Sequence, residues 1–399
     1  MDIAREHVVV VGAGIGGLAA AVLLARAGAS VTLLERAPAV GAVGAGILLQ
    51  PNGLAVLTGL GLDGPLRAAG HRMDGAAVRT TGDRVVSRIR VPAAGNGLDH
   101  LLAVRRTVLH EVLLGAVREE PRIACRTGVA VASADADGTV TTATGERIAA
   151  DLVVGADGVR SAVRASGEFG ARVRDTGQVY LRGMVPLERP LPDGEYWTPI
   201  GLFGWAPVDA TTRYFYASVA APPVRAAVEA GDLDALRRAW AGVLPESAAV
   251  LGAVERFGDL LVHDVARVDC ARWHSGRRVL VGDAAHAMAP TAGQGANSAL
   301  VDVAVLAAEL AGAATGADAL ARYTARRLPA VRRVQDRADQ LTRLAHLRSP
   351  AARRVRDLAF RALDLVGGRR GADRNSRVLQ QEDPAALLAL VPSAHADRP

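Results

Sequence analysis

Lysine is absent from all 399 residues, so the 47 basic side chains are arginine throughout. With abundant Ala, Gly and Val this reads as the composition of a GC-rich genome, and it accounts for a pI near 10.1 without a polyanionic partner. The arginines are scattered, and aromatic residues make up only 4 % of the chain. A nucleic-acid surface needs clustered cations interleaved with stacking rings, so nucleic acid is excluded as a partner. Cysteine is nearly missing: Cys125 and Cys270 stand far apart with no CxxC spacing. This excludes a disulfide scaffold and gives no reason to expect a metal centre, and it fits free thiols in a reducing cytoplasm. Charge is missing from Val8 to Ala25, a run long enough to raise a transmembrane helix or a signal-peptide core. Its four glycines, its β-branched start and a flank holding Asp2, Arg5 and Glu6 argue against both.

That uncharged run is the most informative stretch of the chain. Val8–Val11 suits a buried parallel strand, and Leu18–Arg26 is a run of helix formers ended by Gly28. Between them Gly12, Gly14 and Gly17 have GxGxxG spacing: one for the tight turn, one for close approach of main chain to a pyrophosphate, one for helix–strand packing. The helix N-terminus then offers free N–H groups to phosphate. A second strand, Val31–Leu34, ends in Glu35, placed to accept hydrogen bonds from an adenosine ribose. Strand, glycines, helix, strand and acid in this order predict a dinucleotide site.

Beyond Glu35 a glycine loop (41–46) precedes a predicted helix, Asn52–Leu60, closed by Gly61. Ala76–Arg79 and Val85–Val91 read as strands. Leu101–Val117 has helical spacing, with Val104, Val108, Val112 and Ala116 on one stripe. Arg106 at its start either reaches a bound phosphate or is a solvated helix-end cation. Residues 122–154 read as three or four short strands with a turn at Asp137–Gly138. They run into GADGVRSAVR (155–164), where Asp157 and Ser161 are equally possible as helix caps. From 176 to 220 eight aromatic residues concentrate on alternating segments: Tyr180, Tyr196, Trp197, Phe203, Trp205, Tyr214, Phe215 and Tyr216. We read a mostly antiparallel sheet whose face covers a substrate, with core packing the alternative for each ring. Val224–Leu244 is helical, and strands return near Phe257–Val265.

The second landmark is GDAAHAMAPTAGQGAN (282–297): a strand ending at Gly282-Asp283, a glycine-rich loop, and an apolar helix over 295–310. The N-terminus of that helix is placed to stabilise an anion. Asp283 suits sugar-like hydroxyls. His286 reads as structural or as a base. From Ala317 the chain is helical to its end, with Val355, Leu358, Ala362 and Leu365 on one stripe that packs against the body, against a twin subunit, or touches anionic lipid.

Taken together, GAGIGG with Glu35, GADGVRSAVR and GDAAHAMAPTAGQGAN resemble the single-component FAD-dependent aromatic hydroxylases, the group of the salicylate and hydroxybenzoate hydroxylases, over residues 1 to about 350. The resemblance implies an α/β fold: a discontinuous Rossmann-type FAD-binding domain (1–72, 98–175, 260–345), an inserted antiparallel-sheet substrate domain (73–97, 176–259) and a C-terminal helical segment (346–399). It implies tightly but non-covalently bound FAD, NADH or NADPH as transient co-substrate, O2, and hydroxylation of a phenolic or natural-product aromatic through a flavin C4a-hydroperoxide. Epoxidation, Baeyer-Villiger oxidation and flavin dehydrogenation stay open on the same scaffold; a halogenase, which expects a lysine, does not.

Carried over by motif, Gly12, Gly14 and Gly17 would cradle the pyrophosphate, with Ile15, Gly16, Arg36, Gly46 and Val129 alongside, and Glu35 would take the adenosine ribose. Arg106 would contact the phosphates or ribityl chain, and Asp157 belongs to the motif tied to FAD and nicotinamide. Gly282 and Asp283 would bind the ribityl and pyrophosphate region; Pro290, Gly293, Gly295, Ala296 and Asn297 would line the flavin. Candidates on the substrate side are Arg182, Tyr180, Trp197, Tyr214 and Tyr216 on the insert and Gln294 and Pro290 on the flavin side; no catalytic base is named. Two departures stand out. Val301 replaces the acid often found before Asp302, and the arginine that the urate hydroxylase type places near Gly201 is missing. No thioredoxin-like third domain is expected. The resulting picture is a cytoplasmic monomer or homodimer acting on a small aromatic molecule, with no membrane role expected.

Overall fold

A computed structural model describes residues 3–41, 44–82, 84–91, 97–187 and 191–391. Its centre is a six-stranded sheet in the order 274–275, 278–280, 152–155, 7–11, 30–35, 123–127, parallel except for the short first strand. Val8, Val9 and Val10 are fully buried because layers cover both faces, which is why the strand reads as an unbroken apolar run. His7–Val11 has Ser30–Glu35 on one side and Leu152–Gly155 on the other, so the chain order reverses at the end of this strand. In open parallel sheets that is where ligands bind.

Helix Ile15–Arg26 follows immediately and is apolar nearly all round, from Leu18 to Ala25. It is packed on several sides, by helix Arg106–Glu119 and helix Gly295–Gly312 as well as by the sheet. Helix Gly295–Gly312 is long and apolar enough to cross a membrane, but two thirds of it is buried inside the protein as a core helix.

A seven-stranded sheet forms the second body, in the order 261–269, 172–186, 212–218, 201–207, 194–198, 75–80, 85–90. Every neighbouring pair is antiparallel except Gly194–Thr198 with Gly75–Thr80. The sheet thus continues through Asp269, past position 260. Short helices Pro222–Ala230, Leu233–Ala241 and Ser247–Gly252 cover one of its faces where a single helical stretch was expected. Trp240 from these helices packs edge-on against Phe203 at 5.0 Å, and truncating a buried ring of this kind costs about 3–5 kcal/mol.

The stretch 101–117 differs from its expected single helix. Leu101–Arg105 is a strand between Gly46–Leu49 and His71–Met73, buried on both sides, and the helix starts only at Arg106. The buried side of that helix is Leu109, His110, Leu113, Leu114, Ala116 and Val117; of the expected stripe Ala116 belongs to it, while Val108 and Val112 are half-buried and Val104 lies in the strand. Residues 123–155 form five short strands, and Gly138 turns with φ +92°.

Helix Pro350–Gln380 lies along the edge strand Val85–Arg90 and covers it. Its outward side chains are Val355 and Leu358, 67 % and 65 % exposed, while Arg356 and Phe360 pack on Trp197. The expected apolar stripe therefore points away from the body, and the side chain of Leu365 lies outside the described residues. Cys125 is exposed and Cys270 buried, both as free thiols.

Candidate active site

The first glycine turn is built as its spacing requires. Gly12 has φ +101°, and a Cβ there would stand 2.6 Å from the carbonyl oxygen of Ala156. A Cβ on Gly17 would collide with the carbonyl of Gly12 itself. At Gly14 the situation is reversed, because no protein atom lies within 4 Å of the added Cβ. The fold alone would tolerate a side chain at Gly14, so the open space suits something other than protein. Gly14 is also the residue preceding helix Ile15–Arg26, and no side chain caps that helix, which leaves its first N–H groups free for an anion.

Glu35 is clamped in place: Oε2 accepts from the N–H of Ala13 at 2.8 Å and Oε1 from Ala37 at 2.9 Å. A carboxylate has about four lone-pair sites, so two remain for ribose hydroxyls. His110 grips the same turn, its Nε2 lying 2.9 Å from the carbonyl of Ala13. Sequence reading missed this residue, although it sits four positions after Arg106 on the same helix face, where side chains are neighbours. Ala13, Gly14, Ile15, Glu35, Arg106 and His110 line a cavity of about 170 Å³. That is below the ~300–1,000 Å³ of a whole small-molecule site and matches one end of a dinucleotide. Val129 donates its N–H to the Glu35 carbonyl at 2.9 Å, beside the cavity, and Arg36 is exposed next to it.

The other two motifs meet this turn. A Cβ on Gly12 would touch Asp157 Cα at 3.0 Å, and one on Gly16 would lie 3.3 Å from Ala299 of helix Gly295–Gly312. Asp157 and Ser161 both cap the short helix that follows: Asp157 Oδ2 accepts from Ala162 at 2.7 Å and Ser161 Oγ from Arg164 at 2.9 Å. The second oxygen of Asp157 is buried without a partner, an unusual state for a carboxylate that bound ligand would relieve.

Asp302 organises the turn at Gly282. Its Oδ2 accepts from the N–H of Gly282 at 3.0 Å and pairs with His286 Nε2 at 2.5 Å, and its Oδ1 accepts from Arg327 at 2.9 Å, all fully buried. His286 is thereby a structural group, while Asp283 is left exposed at the turn.

Several expected contacts are spent inside the protein instead. Asn297 Nδ2 donates to Leu48 at 3.0 Å and Gly293 at 2.8 Å, and its Oδ1 accepts from Gln50 at 3.0 Å, so only its main chain is left for a ligand. Gln294 is fully buried, bonded to Gln50 at 2.6 Å, Asn52 at 3.0 Å and Gln381 at 3.1 Å. It bridges elements and does not face a substrate, which corrects its place among the substrate-side candidates. Gly295 has open space where a Cβ would be, Gly293 is exposed with φ +62°, and Ala296 and Pro290 are half-buried beside them.

Strand alternation sorts the eight aromatic residues of the insert. Tyr196, Phe203, Trp205 and Phe215 point into the helix-covered core. Tyr180, Trp197 and Tyr216 point the other way, toward Ala289 and Ala292 of the glycine-rich loop. Tyr214 lies on that second face too, against Gly46, where a Cβ would stand 2.5 Å from its ring. Trp197 is closed off, under Phe360 and with the Arg356 guanidinium 4.8 Å from its ring, so it is a wall and not an open contact. Tyr180 is also buried, stacked at 6.5 Å on His263.

Arg106 joins the two bodies electrostatically. Desolvation pulls its pKa below the ordinary guanidinium value, Asp283 opposes that, and Arg182 and Tyr214 act on it in turn. It retains accessible surface because it faces the open concavity, yet protein surrounds it closely. Arg182 is half-buried with Nε unpartnered. Burial, then the charges of Arg182 and Arg106, hold His263 down at about 4.

A family model described as an FAD binding domain matches residues 5–338. The chain belongs to the FAD-dependent aromatic hydroxylases. It is 35% identical over 414 residues to 3-amino-4-hydroxybenzoate 2-monooxygenase of Streptomyces cremeus, covering 96% of this chain and 94% of that protein. It is 34% identical over 330 residues to aurachin C monooxygenase/isomerase of Stigmatella aurantiaca, covering 80% and 85%. Among solved structures, a variant of Klebsiella pneumoniae HpxO complexed with FAD superimposes with a TM-score of 0.80 at 26% identity, over 94% of this chain and 99% of that one. The enzyme is thus an FAD-dependent monooxygenase that uses NAD(P)H and O2 to hydroxylate an aromatic small molecule.

Proposed function

We propose that the residues gathered at the switch point hold FAD and that its reactive end faces a chamber roofed by the seven-stranded sheet. Glu35 would take the adenosine ribose, the Gly12–Gly17 turn the pyrophosphate, Arg106, Asp157 and Asp283 the linking region, and the 293–297 turn the flavin through its main chain. The observation that carries this reading is the position of Arg106: it lines the cavity with Gly14 and Glu35, its N–H donates to the carbonyl of Ala45 at 3.0 Å, and the adjacent Gly46 lies against the Tyr214 ring of the sheet. One cation therefore borders both the cofactor groove and the sheet face.

The chemistry supplied by bound FAD is acceptance of hydride from NAD(P)H and activation of O2 for transfer of one oxygen atom. The protein's share is placement and exclusion of water. Ala289, Ala292, Leu202 and Trp197 make a dry boundary, and Tyr214 seated on Gly46 closes the gap between the two bodies. Arg182 and Arg106 provide positive charge beside Tyr214, which favours the ionised form of a ring hydroxyl nearby and raises the electron density of that ring. The substrate we infer is a phenol or a hydroxyquinolone-like ring, a class consistent with relatives named for 3-amino-4-hydroxybenzoate and for 2-heptyl-3-hydroxy-4(1H)-quinolone. We place the divisions between domains as the sequence suggests, except that the strand Leu261–Asp269 is assigned to the substrate domain, in a cytoplasmic monomer or homodimer.

The test is a screen of phenols and hydroxyquinolones for stimulated NAD(P)H oxidation by the yellow holoenzyme, with product mass raised by one oxygen. Oxidation that no ring compound stimulates would overturn the assignment of the chamber.

A further inference from the structure

The substrate-facing side of the sheet carries a carboxylate that the proposed function has not used. Strand pairing sets Arg182 opposite Tyr216, Tyr216 opposite Gly204, and Gly204 opposite Glu195, so these four residues form one row across four strands on one face. Gly204 is the gap in that row. A Cβ there would overlap the ring carbon and hydroxyl of Tyr216, because the Tyr216 side chain lies directly across the glycine. Its hydroxyl thereby reaches Glu195 and donates to Oε2 at 3.0 Å. The other oxygen, Oε1, accepts from Trp197 Nε1 at 2.5 Å. With the indole N–H donating to Oε1 and the Tyr216 hydroxyl donating to Oε2, both carboxylate oxygens act as acceptors, the arrangement that suits the anion.

Among the described residues Glu195 has no cationic partner, and burial raises its pKa while the two hydrogen bonds oppose the rise. A buried carboxylate without a counter-ion is costly, and a proton delivered to it removes that cost. Because Tyr216 spends its proton on Glu195, its oxygen is free to accept one from the chamber. The groups that face this pair are Tyr180, Tyr214 and Arg182 on the sheet and Trp197 beside it. Behind them stand His263, which feels Arg182 and Arg106, and Arg356 against Trp197.

We propose that Glu195 is the final proton acceptor for the substrate's ring hydroxyl, acting through Tyr216 across the space left by Gly204. The substrate O–H bond breaks as a new O–H bond forms at Tyr216 Oη. The proton that Tyr216 held moves to Glu195 Oε2. The bound ring becomes the phenolate beside Arg182, Glu195 becomes neutral, and no electrons change hands. Tyr216 is the residue that touches the substrate, and Glu195 is a positioning residue and proton sink. The proposal rests on the reading that the chamber takes a phenol.

The experiment uses 4-nitrophenol, whose phenolate is coloured, titrated with pH in the presence of holoenzyme. The wild type is expected to bind the probe and to ionise it at lower pH than in free solution. In Glu195→Gln and in Tyr216→Phe the ionisation of bound probe should move back by about one pH unit, a tenfold change in the proton equilibrium. Gly204→Ala, which displaces Tyr216, should behave in the same way. FAD content and circular dichroism report whether each variant is folded, and Tyr216→Phe, which removes one hydroxyl, serves where Glu195→Gln does not fold. Bound probe ionised identically in the wild type and Tyr216→Phe would overturn the relay, leaving Arg182 alone responsible. Probe that does not bind the wild type at all would instead overturn the phenol-chamber reading.

Discussion

The two glycines Gly12 and Gly14 sit two positions apart in one motif, and the structure assigns them opposite duties, so the same substitution at each should give opposite results. At Gly12 the backbone has φ +101°, and an alanine Cβ would meet only backbone: Ala156 O at 2.6 Å, Ala156 C at 2.9 Å and Asp157 Cα at 3.0 Å. None of these can swing aside. The left-handed conformation costs a side chain about 1–2 kcal/mol, and the overpacking about 1–3 kcal/mol more. A loss of roughly 2–5 kcal/mol is a large part of a typical stability of ~5–15 kcal/mol. At Gly14 the backbone is extended, φ −75° and ψ −177°, and no atom lies within 4 Å of the new methyl. Alanine there should leave the flavin-free protein unchanged or stabilise it by about 0.4–1 kcal/mol. It should nevertheless weaken FAD binding, because the methyl occupies the approach to the helix N–H groups. Loss of one hydrogen bond to a charged phosphate, about 1.5–3 kcal/mol, corresponds to roughly ten- to hundredfold in Kd. Denaturant midpoints of the two flavin-free variants and FAD titration of Gly14→Ala measure both halves. A Gly14→Ala protein that binds FAD like the wild type would refute the assignment of the open space to the cofactor, and a Gly12→Ala protein as stable as the wild type would refute the steric argument.

Other consequences can be checked in the same way. Asp302→Ala removes the partner of the fully buried Arg327 and His286, and should cost about 3–5 kcal/mol in urea unfolding; a change below ~1 kcal/mol would mean the network is dispensable. Gln381→Ala deprives Arg327, Gln294 and Ser298 of a shared partner and should cost about 1–3 kcal/mol, tying the C-terminal segment to the Gly282 turn. His263 has a folded pKa of about 4 against an ordinary value near 6.5, so between these pH values the unfolded chain binds more protons. Stability should therefore fall as pH drops through this window, by about 1–2 kcal/mol once partial solvent exposure is discounted. His263→Gln should flatten that slope, and an unchanged slope would assign it to other groups.

What was legible in the sequence was local. The turn at Gly12, the helix after Gly14 and the acid at Glu35 are all encoded within one strand–turn–helix–strand unit, where a positive φ or a strand end follows from residues close in the chain. The clustering of aromatic residues between 176 and 220 was also visible, and so was the open choice between core and site for each. Tertiary structure decided that choice: pairing register sends Phe203 and Trp205 into the helix-covered core and Tyr214 and Tyr216 to the other side. It also spent the side chains of Gln294 and Asn297 on partners more than 240 positions away, Asn52 and Leu48 among them. A side-chain amide has no local preference that announces such a partner, and a glycine such as Gly204 acquires its purpose only when another strand lays a ring across it. Local conformational preference writes turns and helix ends into a short stretch of sequence, whereas hydrogen bonds and contacts between distant segments exist only after the sheets have chosen their register.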